Sequence, residues 1–117
     1  IGENGHLAFN DPPVADFSDP ETVKIVRLDE VCRQQQVNDG CFPTIDEVPK
    51  KAVTLTMSAI MSVPAAIVAV PAATKANAVY NTINGPVSEA CPASILRRHK
   101  NASLYLDKDS AKEILKG

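Results

Sequence analysis

Apolar and charged residues alternate along Val23 to Leu28 (VKIVRL), the two-residue period of a half-buried strand. A second apolar segment, Ala65 to Val70 (AAIVAV), is continuous and bounded by Pro64 and Pro71. Its length and β-branched content predict a fully buried strand, the kind found in parallel sheets. Ser103 to Leu106 (SLYL) predicts a further strand. Between them, Asp29 to Val37 (DEVCRQQQV) predicts a helix with acidic residues in its first turn, ended by Asn38, Asp39 and Gly40. Thr44 followed three residues later by Glu47 fits a capping box. Ala52 to Thr56 fits a short strand or a helix start, and the apolar spacing of Thr54 to Met61 favours helix. Thr74 to Asn84 predicts a helix with Thr74 as N-cap and Gly85 as C′ residue. Pro92 to His99 predicts one or two helical turns, and Asp109 or Ser110 caps a last helix through Lys116. Strands alternating with helices predict an α/β domain with a mostly parallel sheet. No internal repeat interrupts it.

Composition narrows the function. The chain has 117 residues, 44% hydrophobic and 22% charged, with a net charge of −2. That length suits one small domain. The charge provides no basic footprint for nucleic acid and no polybasic segment for an anionic membrane. The most apolar run, Met57 to Ala73, is broken by two prolines, so no membrane-spanning helix is expected. The chain opens on Ile1 without a signal-peptide pattern, and a cytoplasmic location is expected. The three cysteines, Cys32, Cys41 and Cys91, form no CxxC pair. A zinc site is therefore not expected, and the thiols read as buried or idle. Asn101-Ala102-Ser103 matches a glycosylation sequon, but nothing else points to secretion.

Chemistry concentrates at the start. Glu3, Asn4, His6, Asn10 and Asp11 crowd around Gly2 and Gly5. A glycine loop can bring backbone N–H groups to a ligand. His6 can serve as acid or base near neutral pH, with Asp11 or Glu3 orienting its ring. The competing reading is a turn in which Asn and Asp act structurally. His99 follows Arg97 and Arg98, where it complements a helix dipole. Lys75 lies in the first turn of a helix, a place where a cation is disfavoured unless an anion such as phosphate binds there. Arg33 and Gln34 to Gln36 read as a helix face.

The opening IGENGHLAFNDPP resembles the signature of the glucosamine-6-phosphate deaminase (isomerase) family. The resemblance continues through LDEVCRQQQVNDGCF, DEVPKKAVTLT, PAATKANAV and CPASILRRHKNASLYLD, so it covers essentially the whole chain. The related 6-phosphogluconolactonases share the Gly-His core but usually lack the continuation seen at Ala8, Phe9 and Asn10.

The resemblance implies a Rossmann-like three-layer sandwich, of which residues 1–117 are the carboxyl-terminal portion of a single domain. It implies conversion of an amino-sugar 6-phosphate to a ketose 6-phosphate and ammonia, with no cofactor and no metal. His6 matches the ring-opening histidine, and Lys75 matches a phosphate-binding lysine. Asn4 stands where the family has aspartate, and Asp11 where it has glutamate. Gly5 and Asn10 fall within the motif as substrate-binding positions. The family's phosphate-side arginine has no match between Asp39 and Phe42, and Arg33 lies at a distance from that place. The family's proton-abstracting aspartate lies upstream of the motif, so this portion alone is expected to be inactive. The partner implied is an amino-sugar phosphate, and a homo-oligomer is compatible with the pattern. Two alternatives stay open: hydrolysis of a phosphorylated sugar lactone, and a non-catalytic sugar-phosphate-binding domain.

Overall fold

The structure, a computed structural model, describes residues 1–116. Its strands form two separate pairs. In the first, β1 (Val23–Arg27) runs antiparallel to β2 (Lys51–Leu55), with Val23 opposite Leu55 and Ile25 opposite Val53. In the second, β3 (Ala66–Val70) runs parallel to β4 (Ala102–Leu106), with Ala66 opposite Ala102. The α/β class stands, but only β3 and β4 carry the parallel pairing that was expected to dominate.

Helix α1 (Glu30–Asn38) follows β1, and the Asp29 side chain accepts a hydrogen bond from the Val31 amide at its start. Gly40, with φ of 81°, turns the chain away after its end. The capping box expected at Thr44 does not form. Residues Ile45–Glu47 make a 3₁₀ turn without a side-chain cap. Lys51–Leu55 is strand, so the helix expected from Thr54 is only α2 (Met57–Met61), capped by Thr56.

The parallel pair is joined by a crossover. It comprises a 3₁₀ turn at Ala73–Lys75, α3 (Ala76–Asn84) and a 3₁₀ segment at Pro92–Arg98. Thr74 does not cap α3; it sits inside the 3₁₀ turn. Gly85 ends α3 in an extended conformation, not the left-handed one expected of a C′ glycine. The last helix, α4 (Lys112–Leu115), receives no side-chain cap from Asp109 or Ser110. Ser110 is buried instead, closing a reciprocal pair with Asp107.

Each strand pair buries one face only. Val26, Leu28 and Cys32 form a core with Phe9, Val14 and Ala52. On the opposite face Ile25 is 73% and Val53 64% exposed. β3 was expected to be buried throughout. Val70 is buried, but Ile67 is 79% exposed, because α3 and Pro92–Arg98 cover only one side of the pair.

Candidate functional site

Residues Gly2 to Asp11 form a tight loop pinned to three parts of the fold. The Gly2 amide donates to the His6 carbonyl at 2.9 Å, and the Gly5 amide to the Gly2 carbonyl at 2.9 Å. The Gly5 N–H is therefore spent inside the loop and is not offered to a ligand. Gly5 itself has φ of 84°, and a Cβ there would lie 2.7 Å from Cys91 Sγ. A Cβ on Gly2 would collide with the His6 ring. Both glycines are thus required by close approach, and Gly5 by conformation as well.

The loop is tied to the Pro92–Arg98 segment by the Ala93 amide, which donates to the Gly5 carbonyl at 2.8 Å. It is tied to β2 by the Phe9 amide, which donates to Thr54 Oγ1 at 3.1 Å. Asn10 is fully buried, and its Nδ2 donates to the carbonyls of Leu7 and Leu55. Its Oδ1 is buried without a hydrogen-bond partner among the described residues. On the α1 side, the Glu3 amide donates to Gln35 Oε1 at 2.9 Å, and the Asp29 amide reaches Asp11 Oδ2 at 3.5 Å. Gln35 and Thr54 were not anticipated as site supports. Nothing in their spacing marks them, since both contacts bridge distant parts of the chain.

At the centre, His6 Nδ1 lies 2.6 Å from Asn4 Oδ1 and 3.3 Å from Asp11 Oδ1. Asn4 Nδ2 donates to the same Asp11 oxygen at 3.1 Å, which orients the amide and leaves its Oδ1 facing the ring. Both neighbours of Nδ1 are acceptors, so Nδ1 carries a proton, and in the neutral form of the ring Nε2 is the nitrogen that holds the lone pair. The His6 side chain is 14% exposed, and Asp11 is fully buried. Burial pushes the Asp11 carboxyl up. Hydrogen bonds from His6 and Asn4, the His6 charge and the Asp29 amide outweigh it and hold the group below the ordinary carboxylate range. Glu3 has no hydrogen bond to His6 and borders a separate hollow with Gln34 and Gln35.

Lys75 stands at the start of α3 and makes no side-chain hydrogen bond or ion pair among the described residues. It is near the beginning of the loop. The Ile1 amine is lowered first by burial and then by the Lys75 charge. The turn carrying Lys75 is unusual. Ala72 has φ of 86° and ψ of 150°, a region almost reserved for glycine. Its amide donates to Asp107 Oδ2 at 3.0 Å, and its carbonyl accepts from the Lys75 amide at 3.2 Å. The amides of Ser110 and Ala72 hold the Asp107 carboxyl below the ordinary range.

Arg33 is engaged structurally. Its NH2 donates to the Ile45 and Val48 carbonyls at 2.8 and 3.2 Å. His99 stands at the C-cap of the Pro92–Arg98 segment, the end where a helix dipole favours a cation, and its ring is engaged locally as well. Its Nε2 lies 2.8 Å from the Val63 carbonyl, and its Nδ1 accepts from the Asn101 amide. Cys32 is buried, one of the two states expected of the thiols, and it lies beside Asp11. Burial, then the Asp11 charge, pushes its thiol up to about 11.

No family model matches the chain. Individual relatives do. Over 114 residues the chain is 36% identical to the glucosamine-6-phosphate deaminase of Clostridium novyi, covering 97% of this chain and 45% of that protein. The chain is a relative of the glucosamine-6-phosphate deaminases. It is 39% identical to the deaminase of Oceanobacillus iheyensis, covering 97% of this chain and 44% of that protein. It superimposes on a solved monomeric glucosamine-6-phosphate deaminase of the NagB superfamily with a TM-score of 0.87 and 36% identity. That match covers 96% of this chain and 44% of the other. A 6-phosphogluconolactonase from Trypanosoma cruzi shares the fold, with a TM-score of 0.64 and 21% identity over 97% of this chain and 39% of that one. The chain thus spans less than half the length of these relatives. The fold is the α/β, Rossmann-like one of the superfamily. Among the described residues, no helix is long and apolar enough to cross a membrane.

Proposed function

We propose that this chain takes part in converting an amino-sugar 6-phosphate, of the glucosamine 6-phosphate class, to a ketose 6-phosphate and ammonia. It supplies the histidine loop that opens the sugar ring and a lysine for the phosphate. The observation that carries this reading is the His6 arrangement: a protonated Nδ1 held by Asn4 and Asp11, and an open Nε2 on a partly exposed ring.

Ring opening needs one group that removes the proton from the anomeric hydroxyl and returns a proton to the ring oxygen. Nε2 of His6 can do both in turn. Buried, ionised Asp11 stabilises the imidazolium that forms between the two steps, as a carboxylate beside a catalytic histidine does. Asn4 transmits orientation through its two hydrogen bonds without adding charge. The substrate phosphate goes to Lys75, which has no ion-pair partner among the described residues. Gly2 and Gly5 let the loop close around the ring, and Asn10 anchors the loop to β2. Residues 1–117 act as part of a single larger sugar-phosphate domain. The exposed apolar faces of both strand pairs and the length of the relatives support that reading.

The test is His6→Ala in the intact natural protein, followed by ammonia release from glucosamine 6-phosphate. Turnover should fall by about 10²–10⁴-fold. Unchanged turnover sinks the assignment. Hydrolysis of 6-phosphogluconolactone without ammonia release transfers the site to lactone chemistry. Tight binding of the sugar phosphate without turnover by the unmutated protein makes it a sensor.

A further inference from the structure

Three unlike metal-ligating side chains meet beneath the His6 loop. A His6 nitrogen, an Asp11 carboxylate oxygen and Cys32 Sγ all lie within 4.8 Å of one another. Asp11 and Cys32 are 0% and 2% exposed. Asn4 Oδ1, 2.6 Å from His6 Nδ1, adds a neutral oxygen to the same place. Sequence spacing conceals this group, because Cys32 arrives from α1 while the other three come from the loop.

One imidazole, one carboxylate and one sulfur form a donor set for borderline cations such as zinc and cobalt. Magnesium and calcium prefer all-oxygen shells. Donors around a tetrahedral zinc, with bonds of about 2.0–2.3 Å, lie roughly 3.5 Å apart. The His6–Asp11 pair, at 3.3 Å, already has that spacing, and no pair of the three exceeds it by more than about 1.3 Å, a distance side-chain rotation can supply. We propose that His6, Asp11 and Cys32, with Asn4 Oδ1 as fourth donor, bind one divalent cation of the zinc class. Binding forms a metal–sulfur bond and releases the Cys32 thiol proton to solvent. The His6 proton moves from Nδ1 to Nε2 as Nδ1 takes the metal. The cation's two charges are then matched by one carboxylate and one thiolate, which suits a buried position. A metal-loaded His6 has no free nitrogen left to act as a base. Blocking of ring opening by the cation therefore rests on the function proposed above, whereas binding itself does not.

Cobalt(II) is the probe, titrated into the intact reduced protein at neutral pH. One equivalent should produce the visible bands of a tetrahedral ion, with a near-ultraviolet thiolate-to-cobalt band. Zinc should displace it, and excess magnesium should not. Cys32→Ser should abolish the thiolate band and weaken binding by at least about tenfold. Cys41→Ser, at an exposed thiol, should retain both. Absence of the band, or its survival in Cys32→Ser, overturns the proposal. Should Cys32→Ser fail to fold, His6→Gln decides, since the ring is partly exposed. A loss of at least about tenfold supports the site, and unchanged affinity overturns it. Cobalt binding by a protein that shows no deaminase activity even when metal-free overturns the reading of function and leaves the metal site standing.

Discussion

Asn4 contacts His6 twice, accepting from its backbone amide at 3.1 Å and from its ring at 2.6 Å, while donating to Asp11. The amide therefore couples the buried carboxylate to the imidazole without a second charge, which limits how many carboxylates the loop must desolvate. Asp11 is the electrostatic centre. Its folded pKa lies below its unfolded value, so its contribution to stability is complete above about pH 4 and is lost as pH falls through the folded value. Asp11→Asn should cost about 1–3 kcal/mol at neutral pH, because hydrogen bonds to a buried charged acceptor are lost. Urea melts across the acid range check this. The gap between wild type and variant should be constant near neutrality and shrink below pH 4, and a gap that widens in acid refutes the assignment. The loop residues were legible because Gly2, Asn4, Gly5, His6, Asn10 and Asp11 are adjacent in the chain. Glu3 was equally eligible by spacing, but its amide is drawn towards Gln35. Cys32 was not legible, since a single cysteine on a helix carries no spacing signal.

The turn between β3 and α3 shows what element-level patterns miss. Thr74 has the chemistry of a cap, but the chain enters the helix through a 3₁₀ turn that consumes the position. Ala72 holds a backbone conformation that suits glycine, secured by Asp107 at the end of β4. Ala72→Gly should stabilise the protein by about 1 kcal/mol. Strain of roughly 1–3 kcal/mol is released, and the greater freedom of glycine in the unfolded chain offsets part of it. Chemical denaturation midpoints read this directly, and a destabilised Ala72→Gly would mean that the turn is unstrained. Strand and helix positions were otherwise readable where periodicity was strong, as in β1, α1 and β4. They failed where two elements abut without a turn residue, as at Leu55 and Thr56. There the apolar spacing of α2 extends back into β2 and imitates one longer helix.

In the molecule as a whole, burial is one-sided. Val23, Ile25, Val53 and Leu55 line one open face of the first strand pair, and Ile67 and Tyr105 lie exposed on the second. Contiguous apolar surface of this kind is unusual on a free monomer. The 117-residue chain produced alone should therefore self-associate and bind an apolar dye. Light scattering after size exclusion, over a range of concentrations, reads the outcome, and a monomer at all concentrations that leaves the dye dark contradicts it. The sequence pattern could not separate β3 covered on one side from β3 covered on both, because a continuous apolar run records the preference of the strand and not its neighbours. The parallel registry of β3 with β4 has a kinetic side. Every pairing from Ala66–Ala102 to Val70–Leu106 encloses the entire α3 crossover. These contacts have high sequence separation, and the loop-closure entropy must be met before any of them forms. The search for that pairing should pace folding, while the loop bearing His6, whose internal contacts are local, can take shape early and wait.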